Sequence, residues 1–135
     1  MGLFYSKIAL EVSSILKAKH SSIQVEAGLC RLNRRCHENA VHDAVAANQD
    51  KIVMCLAISK TNHAPFIHFV NYDSQLNKYL DNTFGYWTKN YDYYLLREVP
   101  KEDFDRILTI FTDYKKVLKS YLPFWMKLFF KFEDF

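Results

Sequence analysis

"KIVMCLAISKTNHAPFIHFVNYDSQLNKYLDNTF", residues 51–84, sets the fold class. Its first part, "KIVMCLAIS" (51–59), is a continuous apolar run too short for a helix, the pattern of a central strand buried on both faces. The turn "KTNHAP" leads into "FIHFVNY" (66–72), and "DSQLN" leads into "KYLDNTF" (78–84). Both segments are rich in β-branched and aromatic residues, so they read as a hairpin or meander pair. "YDYYLLREV" (91–99) carries the same signals and supplies a fourth strand.

Helical periodicity flanks this block on both sides. Residues 3–18 set Phe4, Ile8, Val12, Ile15 and Leu16 at helical spacing. A second helix runs from Cys36 to about Ala47, with Ala40, Val41, Ala44 and Val45 on one side and Glu38 in its first turn, where a carboxylate suits the helix dipole. "NQD" (48–50) stops it. Downstream, "PKEDFDRILTIFTDYKKVLKSYL" (100–122) opens with proline and acids and places Phe104, Ile107, Leu108, Phe111, Leu118 and Leu122 on one face of a long helix. The expected class is α+β: helices lead, a small antiparallel sheet follows, and a helix closes the chain.

Composition narrows the function classes. With 135 residues, the chain is the size of one domain spanning residues 1–135. Half of the residues are hydrophobic and only three are glycine and three proline, which excludes a disordered or linker-rich polypeptide. The formal net charge of +3 is too mild to indicate a nucleic-acid partner. Three glycines cannot build a phosphate-cradling loop, so no nucleotide cofactor is expected. Three cysteines without a CxxC pair fit a reducing, cytoplasmic compartment. Lys7 and Glu11 interrupt the N-terminal apolar stretch, which argues against a signal peptide, and Gly2 with Ser6 matches only a very permissive acylation pattern.

The chemistry-bearing stretch is "RRCHENAVHDAV" (34–45), which puts Cys36 behind Arg34 and Arg35 at the head of the second helix. A thiol is nucleophilic only as thiolate, and a helix N-terminus with neighbouring cations favours that form. His68 lies on one strand and Asp81 on the next, so antiparallel pairing through "DSQLN" makes them cross-strand neighbours. A carboxylate beside an imidazole fixes its tautomer and stabilises its cation. Nucleophile, base and orienter are then all present. Taken singly, Cys36 is a half-buried helix cysteine, His68 a satisfied core histidine and Asp81 a strand-ending turn residue. Cys30 ranks behind Cys36 because no helix start accompanies it, and Cys55 belongs to the apolar strand. A metal is not expected, since His37 and His42 are five residues apart, off one helical face, and no second thiol stands near Cys36.

Cysteine at a helix start in "RRCHENAV", histidine on a strand in "FIHFVNY" and aspartate on the following strand in "KYLDNTFG" is an order that resembles the papain-like cysteine hydrolase superfamily. The stretch "HFVNYDSQLNKYLDNT" (68–83) is similar to the pattern of its transglutaminase-like and bacterial cell-wall-peptidase branches. The resemblance runs from about residue 30 to 99. It implies a papain-like core in which a nucleophile helix packs on the sheet, and acyl transfer at an amide bond of a protein or peptide-like substrate. Cys36 would attack, His68 would move the proton and Asp81 would orient the ring. Asn33 and the Cys36 N–H are the candidate oxyanion donors, Asn82 is an alternative orienter, and Asn39 is placed to shape the site. In so small a chain, hydrolysis by a peptidase, amidase or deamidase is favoured over transamidation.

The rival expectation is a non-catalytic interaction protein of the same fold, such as a small phage or viral factor, binding a partner protein through aromatic and basic surfaces. "RLNRRCH" is basic, and "YDYY" and "FGYW" could line a cleft. "LPFWMKLFFKFEDF" (122–135) clusters aromatics around two lysines; a last helix packing over the sheet is the favoured reading, ahead of contact with a membrane surface through Leu122 to Phe135.

Overall fold

The structure, a computed structural model, describes residues 3–29, 35–46 and 51–132, with side chains from Lys7 onward. It is a mixed α+β fold. The order is α1 (Leu3–Lys17), β1 (Ser22–Ile23), β2 (Val25–Ala27), α2 (Cys36–Ala46), β3 (Lys51–Ser59), β4 (Pro65–Asp73), β5 (Lys78–Asp81), β6 (Tyr91–Pro100), α3 (Ile107–Ser120) and α4 (Phe124–Phe129). Short 3-10 helices, Gly85–Asn90 and Lys101–Arg106, precede β6 and α3.

The strands form one six-stranded sheet in the order β1-β6-β3-β4-β5-β2. Consecutive hairpins account for β3, β4 and β5, and β6 returns to the other side of β3. β1 and β2 stand at opposite ends of that order, yet Gln24 alone separates them in the chain. The sheet must therefore curl until its two edges approach one another. This closing segment alternates Ile23, Val25 and Ala27 with Ser22, Gln24 and Glu26, but its strands span only two and three residues, too short a pattern to mark them in the sequence. β2 pairs parallel with β5, which makes the sheet mixed rather than wholly antiparallel.

Curling divides the interior in two. Ile52, Met54, Leu56 and Ile58 of β3 face the helices, joined by Val12 and Leu16 of α1 and Leu118 of α3. Val53, Cys55 and Ala57 point the other way, into a smaller cluster with Val70 and Tyr93 that Ile23, Val25 and Phe66 enclose. The continuous apolar run of β3 thus has an apolar partner on both faces. A β-bulge opposite Met54 and Cys55 sits on β6, where Leu95 pairs with Cys55 and Arg97 with Met54. The extra residue reverses the alternation, so Tyr93 and Leu95 point into the inner cluster while Val99 reaches the helix side.

Several boundaries differ from expectation for local reasons. β5 ends at Asp81 instead of running to Phe84, because Asp81 Oδ1 accepts the backbone N–H groups of Thr83 and Phe84, both at 2.9 Å, and turns the chain. The long helix expected over 100–122 is divided: Asp103 ion-pairs with Arg106 at 3.0 Å and with Arg97 of β6 at 3.5 Å, holding the opening turns as a 3-10 segment before α3 begins. Leu108 is exposed because Ile107, Ile110, Phe111 and Leu118 define the inward stripe. Val45 is likewise exposed, on the side of α2 opposite Cys36, Ala40 and Ala44. α4 is a short helix after Pro123; it turns Met126 inward, with Phe130 following, but leaves Phe124, Trp125, Leu128 and Phe129 outside. The expected stop at 48–50 lies outside the described residues, as do Gly2, Cys30, Asn33 and Arg34.

Candidate active site

α2 begins at Cys36 and packs on β4. β5 pairs with β4 only over Asn71–Asp73, so at Phe66–Val70 the edge of β4 has no strand partner on that side among the described residues. The helix start occupies this edge. Two buried amides fasten it there: Asn71 Nδ2 donates to the Ala40 carbonyl at 2.8 Å, and Asn39 Nδ2 donates to Thr83 Oγ1 at 2.9 Å. Asn39 is therefore a clasp between α2 and the turn after β5.

His68 and Asp81 point into the inner side of the curled sheet. The β4–β5 register pairs Asn71 with Leu80, so Asp81 falls across from Val70, and His68 reaches it diagonally rather than as a direct cross-strand neighbour. His68 Nε2 lies 2.8 Å from Asp81 Oδ2. The same oxygen accepts the Tyr93 hydroxyl at 2.8 Å. With Oδ1 holding the two turn amides, the carboxylate receives four donors although its side chain is wholly buried. These donors and the imidazolium outweigh the effect of burial and keep Asp81 below the ordinary carboxylate range.

The imidazole is held as firmly by its faces as by its edge. Phe84 stacks on it with centroids 4.3 Å apart and planes 9° from parallel, while Phe66 meets it edge-on at 5.9 Å. Nδ1 completes no hydrogen bond. The Cys36 thiol is nevertheless within electrostatic reach of this ring, and thiolate and imidazolium stabilise one another.

Burial alone would raise the Cys36 thiol. His68 opposes it as a charge, and the nearby His37 ring, His68 ring and Phe69 N–H add to that effect, bringing the thiol down from 9.0 to about 7. The Phe69 amide is available because the β4 edge is open at that point. Arg35 does not make its expected contribution: it pairs with Glu38 at 3.2 Å in an exposed ion pair. Burial similarly opposes the charged form of His68, but Asp81 and the Cys36 thiolate prevail and raise it to about 10. Cys55 lies behind the ring with its Sγ 3.4 Å from the His68 carbonyl, and burial pushes its thiol well up. The two described thiols are thus shifted in opposite directions, Cys36 down and Cys55 up.

Cys36, His68 and Asp81 are each 0 % exposed. No family model, curated protein or solved structure matches this chain.

Sequence reasoning brought these three residues together but left out what supports them. Tyr93 was visible only as part of the aromatic "YDYY", and its direction depends on the bulge in β6. Phe84 was assigned to a strand, whereas the turn made by Asp81 is what carries its ring over the imidazole. Asn82, considered as an alternative orienter, ties chain segments together: Nδ2 donates to Asn71 Oδ1 at 2.9 Å and Oδ1 accepts the Leu29 N–H at 3.0 Å. Gly28 must be small beside it, because a Cβ there would lie 2.0 Å from Asn82 Oδ1. Among the described residues, no group of three His, Cys, Asp or Glu side chains is arranged to hold a metal ion.

Proposed function

We propose that the chain is a cysteine-dependent acyl-transfer enzyme of papain-like architecture, acting on an amide bond through Cys36, His68 and Asp81. The observation that carries this reading is the ring of His68, fixed at Nε2 by Asp81 at 2.8 Å while Nδ1 is left without a partner beside an activated thiol. Asp81 sets the tautomer in which Nε2 bears its proton toward the carboxylate, leaving Nδ1 to exchange a proton with Cys36. The thiolate attacks the amide carbonyl, forming the C–S bond as the carbonyl electrons move to oxygen. Collapse of that intermediate breaks the C–N bond, and the leaving nitrogen takes the proton from His68 Nδ1. Water then gives a proton to His68 Nδ1 as its oxygen bonds the thioester carbon, and the C–S bond breaks with its electrons returning to sulfur, releasing the acid and restoring the Cys36 thiolate. The backbone N–H groups of Cys36 and Phe69 are the candidate donors to the oxyanion.

The burial of all three side chains favours a second reading, in which the same trio is a buried polar element of a non-catalytic interaction protein. Iodoacetamide labelling with peptide mapping separates the two. The catalytic reading expects Cys36 to be modified first, with a pH midpoint near 7, and this preference to disappear in His68→Ala. Slow and equal modification of Cys30, Cys36 and Cys55 would overturn it.

A further inference from the structure

The surface formed by α4 and the end of α3 shares no residue with the proposed triad. Phe124 is 76 % exposed, Leu128 66 %, Phe129 55 % and Trp125 46 %. The opposite side of the same segment is anchored: Leu122, Met126, Phe130 and Phe132 are all buried in the helix-side core. The exposed side chains are therefore presented on a fixed support. From Tyr114 to Phe132 the chain has five lysines, at 115, 116, 119, 127 and 131, and no acid before Glu133 and Asp134, which lie outside the described residues. The fold adds a sixth cation from the end of α1, with Lys19 Nζ 4.9 Å from the Tyr121 ring.

Apolar aromatics bordered by lysines suit the boundary of a bilayer. Phe, Trp and Leu enter the acyl region, and lysine stems lie along that surface while their ammonium groups meet anionic headgroups. No helix among the described residues is long and apolar enough to cross a membrane, so a contact of this kind would be peripheral. A two-fold pairing of this patch with a second copy would bring two lysine-bordered surfaces together, and the repulsion between them disfavours self-association.

We propose that α4 docks the protein onto an anionic lipid surface, with Phe124, Trp125 and Leu128 inserting and Lys127 and Lys131 contacting headgroups. The proposal stands whether or not the triad is catalytic. Its test is co-sedimentation of the full chain with phosphatidylcholine vesicles that contain or lack phosphatidylserine. The expected result is pelleting with the phosphatidylserine vesicles, weakened by salt. Binding should fall roughly tenfold or more in Phe124→Ser/Trp125→Ser/Leu128→Ser and also in Lys127→Gln/Lys131→Gln. Circular dichroism checks that both variants remain folded. In a Trp87→Phe background, the emission of Trp125 should shift to the blue when those vesicles are added. Wild-type protein that stays in the supernatant overturns the proposal, as does equal pelleting of the triple-serine variant. So does association that persists without lipid, whether with an acidic protein or as a dimer that the triple variant dissolves, if vesicles leave the Trp125 emission unchanged.

Discussion

Tyr93 separates what holds the site together from what activates it. Its hydroxyl and His68 Nε2 share Asp81 Oδ2, each at 2.8 Å, so Tyr93→Phe removes one donor from a buried carboxylate and leaves the imidazole bond in place. Hydrogen bonds to charged groups contribute about 1.5–3 kcal/mol, and the variant should lose stability on that order in urea denaturation. Cys36 should nonetheless keep a depressed thiol, because the groups that depress it are His68, His37 and the Phe69 amide. A Tyr93→Phe protein whose Cys36 titrates in the ordinary thiol range would mean that the tyrosine, through Asp81, positions the ring as well. The role of Tyr93 was not legible in the sequence because a tyrosine in a strand-forming run has no assigned direction until bulges are known. Cys36, His68 and Asp81 were legible for the opposite reason: a helix start and two strands joined by a short turn restrict where such side chains can go.

At the level of elements, the attachment of α2 to the edge of β4 decides whether Cys36 meets His68. Asn71 is the joint. It donates to the Ala40 carbonyl of α2 and accepts from Asn82, which in turn holds the Leu29 N–H on the chain leading toward Cys36. Asn71→Ala breaks both bonds at a residue only 1 % exposed and should cost about 2 kcal/mol or more, counting about 1 kcal/mol for each bond and more for the polar groups left unpaired. Loosening α2 should also let the Cys36 thiol drift back up toward 9.0, read by alkylation against pH. If the melting temperature falls while the alkylation midpoint stays near 7, the helix is held by its apolar face and the joint is secondary. The strands at 51–59, 66–72 and 91–99 could be read in advance from their runs of apolar, β-branched and aromatic residues, and the first two helices from apolar residues at helical spacing. β1 and β2 could not, since the alternation in "SSIQVEA" is only a few residues long and its pairing partners, β6 and β5, lie far along the chain.

For the molecule as a whole, the three charges of the site couple stability to pH in a way that separates their contributions. Asp81 is depressed from 3.8, so what it contributes is in place above that value and is lost as the pH falls below it. His68 is raised from 6.5 to about 10, so its contribution is complete below 6.5 and drains away as the pH climbs to about 10. Cys36 is lowered from 9.0 to about 7, so its contribution is absent below 7 and complete above 9.0. Between about 7 and 9 the loss at His68 and the gain at Cys36 have opposite signs and similar slopes, one proton each. The site should therefore contribute a level stretch to the curve of melting temperature against pH, bounded by an acid limb from Asp81 and a decline toward pH 10. Cys36→Ser removes the thiolate and lowers the ring that it supports, so its melting temperature should fall relative to wild type across this same interval. Titratable groups elsewhere cancel in the difference between the two proteins, and any change in packing from sulfur to oxygen shifts the difference by a constant. Curves that run parallel from pH 7 to 9 would mean that Cys36 and His68 do not share charge in the folded protein, and the acyl-transfer reading would fall with that coupling.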